Sequence, residues 1–202
     1  MTYKTLLLTL LFSQGLFFGG LPIFLQLLFY LNPWVIMVVW VCIVVSVLMI
    51  VLLVRGETIK LPRLYWQVAI SGYSFSLLVL LFFRPEGQEY SYNIIPLSTI
   101  STYLTGDSNW LVSFYNLSAN IGLFIPFGLY LLSRKGKKMT GIPKFFIPFF
   151  SISIIEICQY VFQRGSLDID DLILNLIGVY LGYLLYRWFV KVIDIIPAKR
   201  ST

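Results

Sequence analysis

The sequence contains no histidine. That removes the commonest general base, the Ser-His-Asp triad and every imidazole metal site, so any chemistry has to run on carboxylates, amides, Arg, Lys or Tyr. Cysteine is nearly absent too. Cys42 and Cys158 both stand inside apolar runs without CxxC spacing, which indicates neither a disulfide framework nor a zinc site; both read as core residues. Charge is scarce, at 12% of 202 residues, and a soluble domain with an ordinary polar surface cannot be built at that level. What fills the chain instead is apolar: 58% of residues are hydrophobic and the mean hydropathy is +0.85. The composition defines a multispan membrane protein.

A span needs about 20 mostly apolar residues, and six stretches approach that length. They are Thr5 to Leu31, Trp34 to Val54, Leu64 to Phe83, Ser113 to Ser133, Pro143 to Phe162, and Ile169 to Phe189. The expected fold is therefore an all-α polytopic bundle of about six transmembrane helices. The start, MTYKTLLLTLLF, could pass for a signal peptide, but the run continues past the usual core and lacks a small-residue cleavage site, so it reads as a span. Gly15, Gly19, Gly20 and Pro22 could kink that span or split it in two. Asn32-Pro33 predicts a tight turn. No internal repeat and no low-complexity segment stands out.

Alternation of the spans sorts the basic residues onto two sides. One side collects Lys4; Arg55, Lys60 and Arg63; Arg134, Lys135, Lys137, Lys138 and Lys144; and Arg187, Lys191, Lys199 and Arg200. These are 13 of the 15 basic residues, against Arg84 and Arg164 on the other side. The bias predicts both termini in the cytoplasm. Glu86, Glu89, Asp107, Asp168, Asp170 and Asp171 fall outside, Glu57 and Asp194 inside, and Glu156 in the membrane. The formal charge of +6 accordingly reads as membrane-surface charge and not as a nucleic-acid footprint. The organisation expected is N-terminal helices over 1–83, an outer loop plus three spans over 84–190, and a cytoplasmic tail over 191–202.

The polar chemistry concentrates between Ile155 and Gly182. A carboxylate inside a span costs about 2.5 to 3.5 kcal/mol on insertion scales, so Glu156 needs a neutralising partner or a task. Glu156 lies about 9 Å below the outer end of its helix at 1.5 Å per residue, with Gln159 a turn above. Asp171, Asn175, Gly178 and Gly182 recur at four, three and four residues, which is one helical stripe, polar outside and small inside. Asn116 and Asn120 stand a turn apart at the start of the fourth span, ahead of a Pro126-Phe127-Gly128 break; Asn120 is expected at about the depth of Asn175. The long outer connection from Arg84 to Val112 holds Asn93-Ile-Ile-Pro96 and the amphipathic run Leu97 to Leu104, and is expected to cover the outer mouth of the bundle. Together these groups predict an outward-open polar pocket.

Plainer readings stand beside each element. Glu156 could form a structural ion pair with Arg164, the glycine stripe could be close helix packing, and Asn116 and Asn175 could be interhelical hydrogen-bond glue. Asp170 is expected to point away from the stripe into solvent. Asp168 and Asp171 could hold a divalent cation, but their spacing matches no recognised site, so neither metal nor cofactor is expected.

Five blocks occur in order: Asn93-x-x-Pro96, Asn120-Ile-Gly-Leu-Phe124-Ile-Pro126-Phe-Gly128, Glu156-x-x-Gln159, Arg164, and Asp168-Ile-Asp-Asp171-x-x-x-Asn175-x-x-Gly178. In this pattern, from about Ser91 to Tyr186, the chain resembles the VanZ-like family of bacterial membrane proteins. Leu97 stands where that family often has an aromatic. The resemblance implies a multi-pass protein of the bacterial cell membrane and an envelope role, since the family's best-known member is associated with teicoplanin resistance in Gram-positive bacteria, apart from the enzymes that rebuild the peptidoglycan terminus.

Two functions compete. In one, Asn93, Asn120, Glu156, Gln159, Arg164, Asp168, Asp171 and Asn175 bind a lipoglycopeptide or a lipid-linked envelope precursor, with membrane lipids around the apolar walls. In the other, Glu156 is the acid or base of an intramembrane enzyme acting on a lipid-linked substrate. A transporter fits less well, because no charged path crosses the inner half.

Overall fold

The computed structural model describes residues 2–27, 34–82, 92–105, 110–135, 139, 141–164 and 167–197. The Asn32-Pro33 turn, Arg84, Glu86, Glu89, Asp107, Lys137, Lys138, Lys199 and Arg200 lie outside them. Six helices occupy the six apolar stretches: α1 (Tyr3–Leu27), α2 (Trp34–Arg55), α3 (Arg63–Phe82), α5 (Trp110–Lys135), α6 (Gly141–Val161) and α7 (Ile169–Val192). A short seventh, α4 (Ser98–Thr105), sits in the long connection. Five of these helices are long and apolar enough to cross a membrane by length and composition, and the fold is an all-α polytopic membrane bundle. α1 is one helix with Pro22 inside it, not two pieces, and α5 likewise runs through Pro126 without the expected break.

Four short strands, which the apolar patterning does not reveal, join distant connections: β1 (Ile59–Pro62), β2 (Tyr92–Asn93), β3 (Leu167–Asp168) and β4 (Ile193–Ile196). β1 pairs in parallel with β4, and β2 in parallel with β3. Because β1 follows α2 and β4 follows α7, the first pair sets the C-terminal ends of those helices on one side. By the same logic the second pair sets the α3–α4 and α6–α7 connections together. In the first pair Lys60 stands opposite Asp194, an opposite-charge register at the exposed position of each strand.

The chain divides into two compact units, Met1–Pro62 with Arg187–Thr202, and Arg63–Tyr186. In the first unit α1 packs on α2 through a seam of small hydroxyl residues at helical spacing, Thr5, Thr9 and Ser13, all buried. Hydrocarbon offers no hydrophobic drive between helices, so close approach of small side chains does the holding. Thr9 and Ser13 return their hydroxyls to the carbonyls of Thr5 and Leu10. The end of α1 is tied by Glu57, whose carboxylate accepts from the Thr2 N–H at 2.9 Å and from the Thr2 and Thr5 hydroxyls at 2.8 Å, and pairs with Arg55. These donors, the Thr2 amide foremost, hold the Glu57 carboxyl down at about 2.

The second unit is a four-helix arrangement of α3, α5, α6 and α7 around one apolar layer. Each helix supplies one residue to it: Leu77, Phe124, Ile152 and Val179. α5 and α7 meet backbone to backbone. A Cβ on Gly178 would run into the Ile121 carbonyl, and one on Gly128 would stand 2.9 Å from the Gly182 Cα. The glycine stripe is therefore close packing.

Candidate functional site

The polar residues stack on the apolar layer turn by turn. Four residues from Leu77, Phe124, Ile152 and Val179, towards the α3–α4 and α6–α7 connections, come Leu81, Asn120, Glu156 and Asn175, so an apolar floor carries a polar storey directly above it. Glu156 is 6% exposed and Asn175 4%, and the Asn175 amide donates to Glu156 Oε1 at 3.2 Å. The other amide atom, Asn175 Oδ1, is buried without a hydrogen-bond partner among the described residues. Gln159, also buried, donates from Nε2 to the Leu81 carbonyl at 3.3 Å. Leu81 is in the last turn of α3, where a carbonyl has no helical donor of its own, so Gln159 closes a helix end.

Asn120, on the same storey as Asn175, reaches from Nδ2 one turn along α7 to Asp171 Oδ1. Gly178 and Gly182, set against the carbonyls of Ile121 and Ile125, fix the register of α5 on α7.

At the top, two carboxylates cap two helices. Asp168, buried in β3, accepts from the Asp170 N–H at 2.9 Å, the N-cap bond that starts α7. Asp170 departs from expectation. It is 0% exposed, and its carboxylate accepts the N–H groups of Leu97 at 2.6 Å, Thr99 at 2.8 Å and Ile100 at 3.1 Å. It caps α4 from about 70 residues away, satisfying amides that an isolated helix leaves open and meeting the positive end of the dipole. Asn93 and Thr99 add bonds to Asp168: Asn93 Nδ2 to Oδ1 at 3.2 Å and the Thr99 hydroxyl to Oδ2 at 2.7 Å. Asn93 Oδ1 accepts the Ile95 N–H, and Asn93 Nδ2 donates to the Ser98 hydroxyl as well. Tyr92 to Thr105 forms a strap locked on the first turn of α7. Asn116 donates to the Tyr103 hydroxyl at 3.3 Å, a further tie between α5 and the strap.

Glu156 is buried, whereas Arg164 is exposed. The Arg164 backbone N–H bonds Gln159 O at 2.8 Å, while Gln163, at φ 57°, bonds Tyr160 O. That is a Schellman stop for α6 with Gln at the left-handed position. Among the described residues no group of three or more His, Cys, Asp or Glu side chains is arranged for a metal ion.

Of the expected site residues, the structure brings Asn93 to Asp168, Asn120 to Asp171, and Asn175 to Glu156; Gln159 turns to a backbone carbonyl and Arg164 outward. Asp170, Thr99 and Ser98 were missed. The acid-rich start of a helix was a signal, yet it points to that helix's own dipole and not to another helix.

Fold and polar storey define a multispan membrane protein whose acids and amides bind across helices within a four-helix unit. The chain belongs to the VanZ/LLP1 family, whose sequence model matches residues 70–190 and so takes in every member of the polar cluster. Protein VanZ of Enterococcus faecium is similar at 41% identity over 75 residues, which are 37% of this chain and 45% of that protein. The chain is thus matched over somewhat under half of that relative's length. No solved structure matches.

Proposed function

We propose that the protein lowers the susceptibility of a Gram-positive host to teicoplanin-type lipoglycopeptides, engaging either the drug or a lipid-linked envelope precursor in the outer leaflet of the cell membrane. In this reading the termini and most of the basic residues are cytoplasmic, and the polar storey lies in the outer half of the bilayer. The observation that carries it is the Glu156–Asn175 pair: an acid and an amide bonded to each other inside the spans, with Asn175 Oδ1 lacking a donor among the described residues. A buried acceptor left unpaired costs about 1 to 3 kcal/mol. A sugar hydroxyl or peptide N–H of the ligand would offset that cost, and the apolar walls of the helices would hold its acyl chain.

Expression in a sensitive Gram-positive host tests this at matched membrane levels. Wild type is expected to protect against teicoplanin and not against vancomycin, which shares the peptide-binding mode but lacks the acyl chain. Glu156→Gln and Asn175→Ala are expected to lose that protection. Wild type that protects against neither drug would remove the proposal.

A further inference from the structure

The strap has two unlike faces. Asn93 and Thr99 turn inward to the Asp168 carboxylate and Ser98 to the Asn93 amide, while Ile94, Ile95 and Leu97 turn outward and are 65%, 67% and 57% exposed. Three large aliphatic side chains side by side at a loop tip are poorly placed for water. Leu97 is poorly placed in its backbone too: its φ is 67°, the left-handed region where a glycine meets no steric penalty and a leucine does. The Asp170 carboxylate on the Leu97 N–H holds it there. A glycine at this turn would be easier for the backbone and would shed the exposed side chain, so the leucine carries two separate penalties here.

The surroundings say what covers it. Asp170 is the second residue of a membrane-crossing helix, so a strap fastened to it lies at the end of a span, level with the boundary of the hydrocarbon. The outward residues of α4 itself are Ser101, Thr102 and Thr105, which suit water or headgroups, and Leu104, 73% exposed, in its last turn. The geometry points to the tip Ile94–Leu97 being a wedge immersed in the acyl chains of the leaflet, with the outer face of α4 on the aqueous side. The Asp170 carboxylate takes the Leu97 N–H and Asn93 Oδ1 takes the Ile95 N–H while the side chains of the turn enter the lipid, which lowers the usual cost of putting a loop in hydrocarbon. The strap would then be an interfacial anchor with its depth fixed from within the bundle.

Nitroxide labels test the placement. In a Cys42→Ala, Cys158→Ala background, single cysteines replace Ile94, Ile95, Leu97 and Thr102, and the labelled full chain is reconstituted in phosphatidylglycerol-containing nanodiscs. The expected result is that oxygen collisions dominate over collisions with a water-soluble nickel chelate at 94, 95 and 97, and that the order reverses at 102. Three independent tip positions guard against one label disturbing the turn. Nickel collisions at all three equal to those at 102 would overturn the wedge and leave the tip as a surface open to a protein or to a soluble ligand.

Discussion

Replacing Asp170 by alanine should release the strap while leaving the bundle in place. The carboxylate accepts three backbone N–H groups at 2.6, 2.8 and 3.1 Å and is fully buried. Hydrogen bonds to a charged group are each worth about 1.5 to 3 kcal/mol net, and loss of a helix cap by itself costs about 0.5 to 2 kcal/mol. The three share one carboxylate and are not additive. We therefore expect the strap to lose about 3 kcal/mol of closing free energy, which is roughly two decades in its opening equilibrium. Asp170→Asn keeps one acceptor oxygen but presents an amide NH2 to the same donors, and should lose roughly half as much. Hydrogen exchange at the Thr99 and Ile100 amides in nanodiscs reads the opening directly. Asp171→Ala is the control, because Asp171 bonds Asn120 on α5 and does not touch those amides. Unchanged exchange at Thr99 and Ile100 in Asp170→Ala, with Asp171→Ala also unchanged, would refute the cap.

Two further perturbations separate packing from charge. Gly178→Ala and Gly182→Ala both push a methyl into backbone carbonyls of α5, which cannot step aside as a flexible side chain can, and should each destabilise the protein by about 1 to 3 kcal/mol in thermal unfolding. Gly122→Ala meets nothing within 4 Å and should be neutral or stabilising by about 0.5 to 1 kcal/mol; equal losses at 122 and 178 would sink the close-contact account. Glu57, with its carboxyl lowered from 4.5 to about 2, should support the α1 tie at full strength above pH 4.5 and lose it as pH falls towards 2. Its carboxyl carbon, followed by NMR in selectively labelled protein, should titrate with a midpoint near 2; a midpoint at or above 4.5 would contradict the bonds from Thr2 and Thr5.

Much of the frame was legible in the chain. Length and composition of the apolar runs placed six helices, since a span is a local property of about 20 consecutive residues. The stripe Asp171, Asn175, Gly178 and Gly182 followed from helical period alone, and Glu156 stood out because its cost in a span is high whatever the fold. The continuity of α1 and α5 through Pro22 and Pro126 was less legible, because neighbouring helices can compensate the missing donor and the sequence does not display those neighbours.

What the sequence determined by itself was the class of protein, the position of its spans and the identity of the residues able to bond inside them. Tertiary structure decided the pairings. That Asp170 belongs to α4 and not to solvent, that Asn120 meets Asp171, that Asn175 meets Glu156, and that two pairs of strands tie distant connections are facts about residues 19 to over 130 positions apart. Local periodicity reports which way a side chain leaves its own helix. It carries no record of the axial slide between two helices, and here that slide is set by glycines where the backbones of α5 and α7 touch.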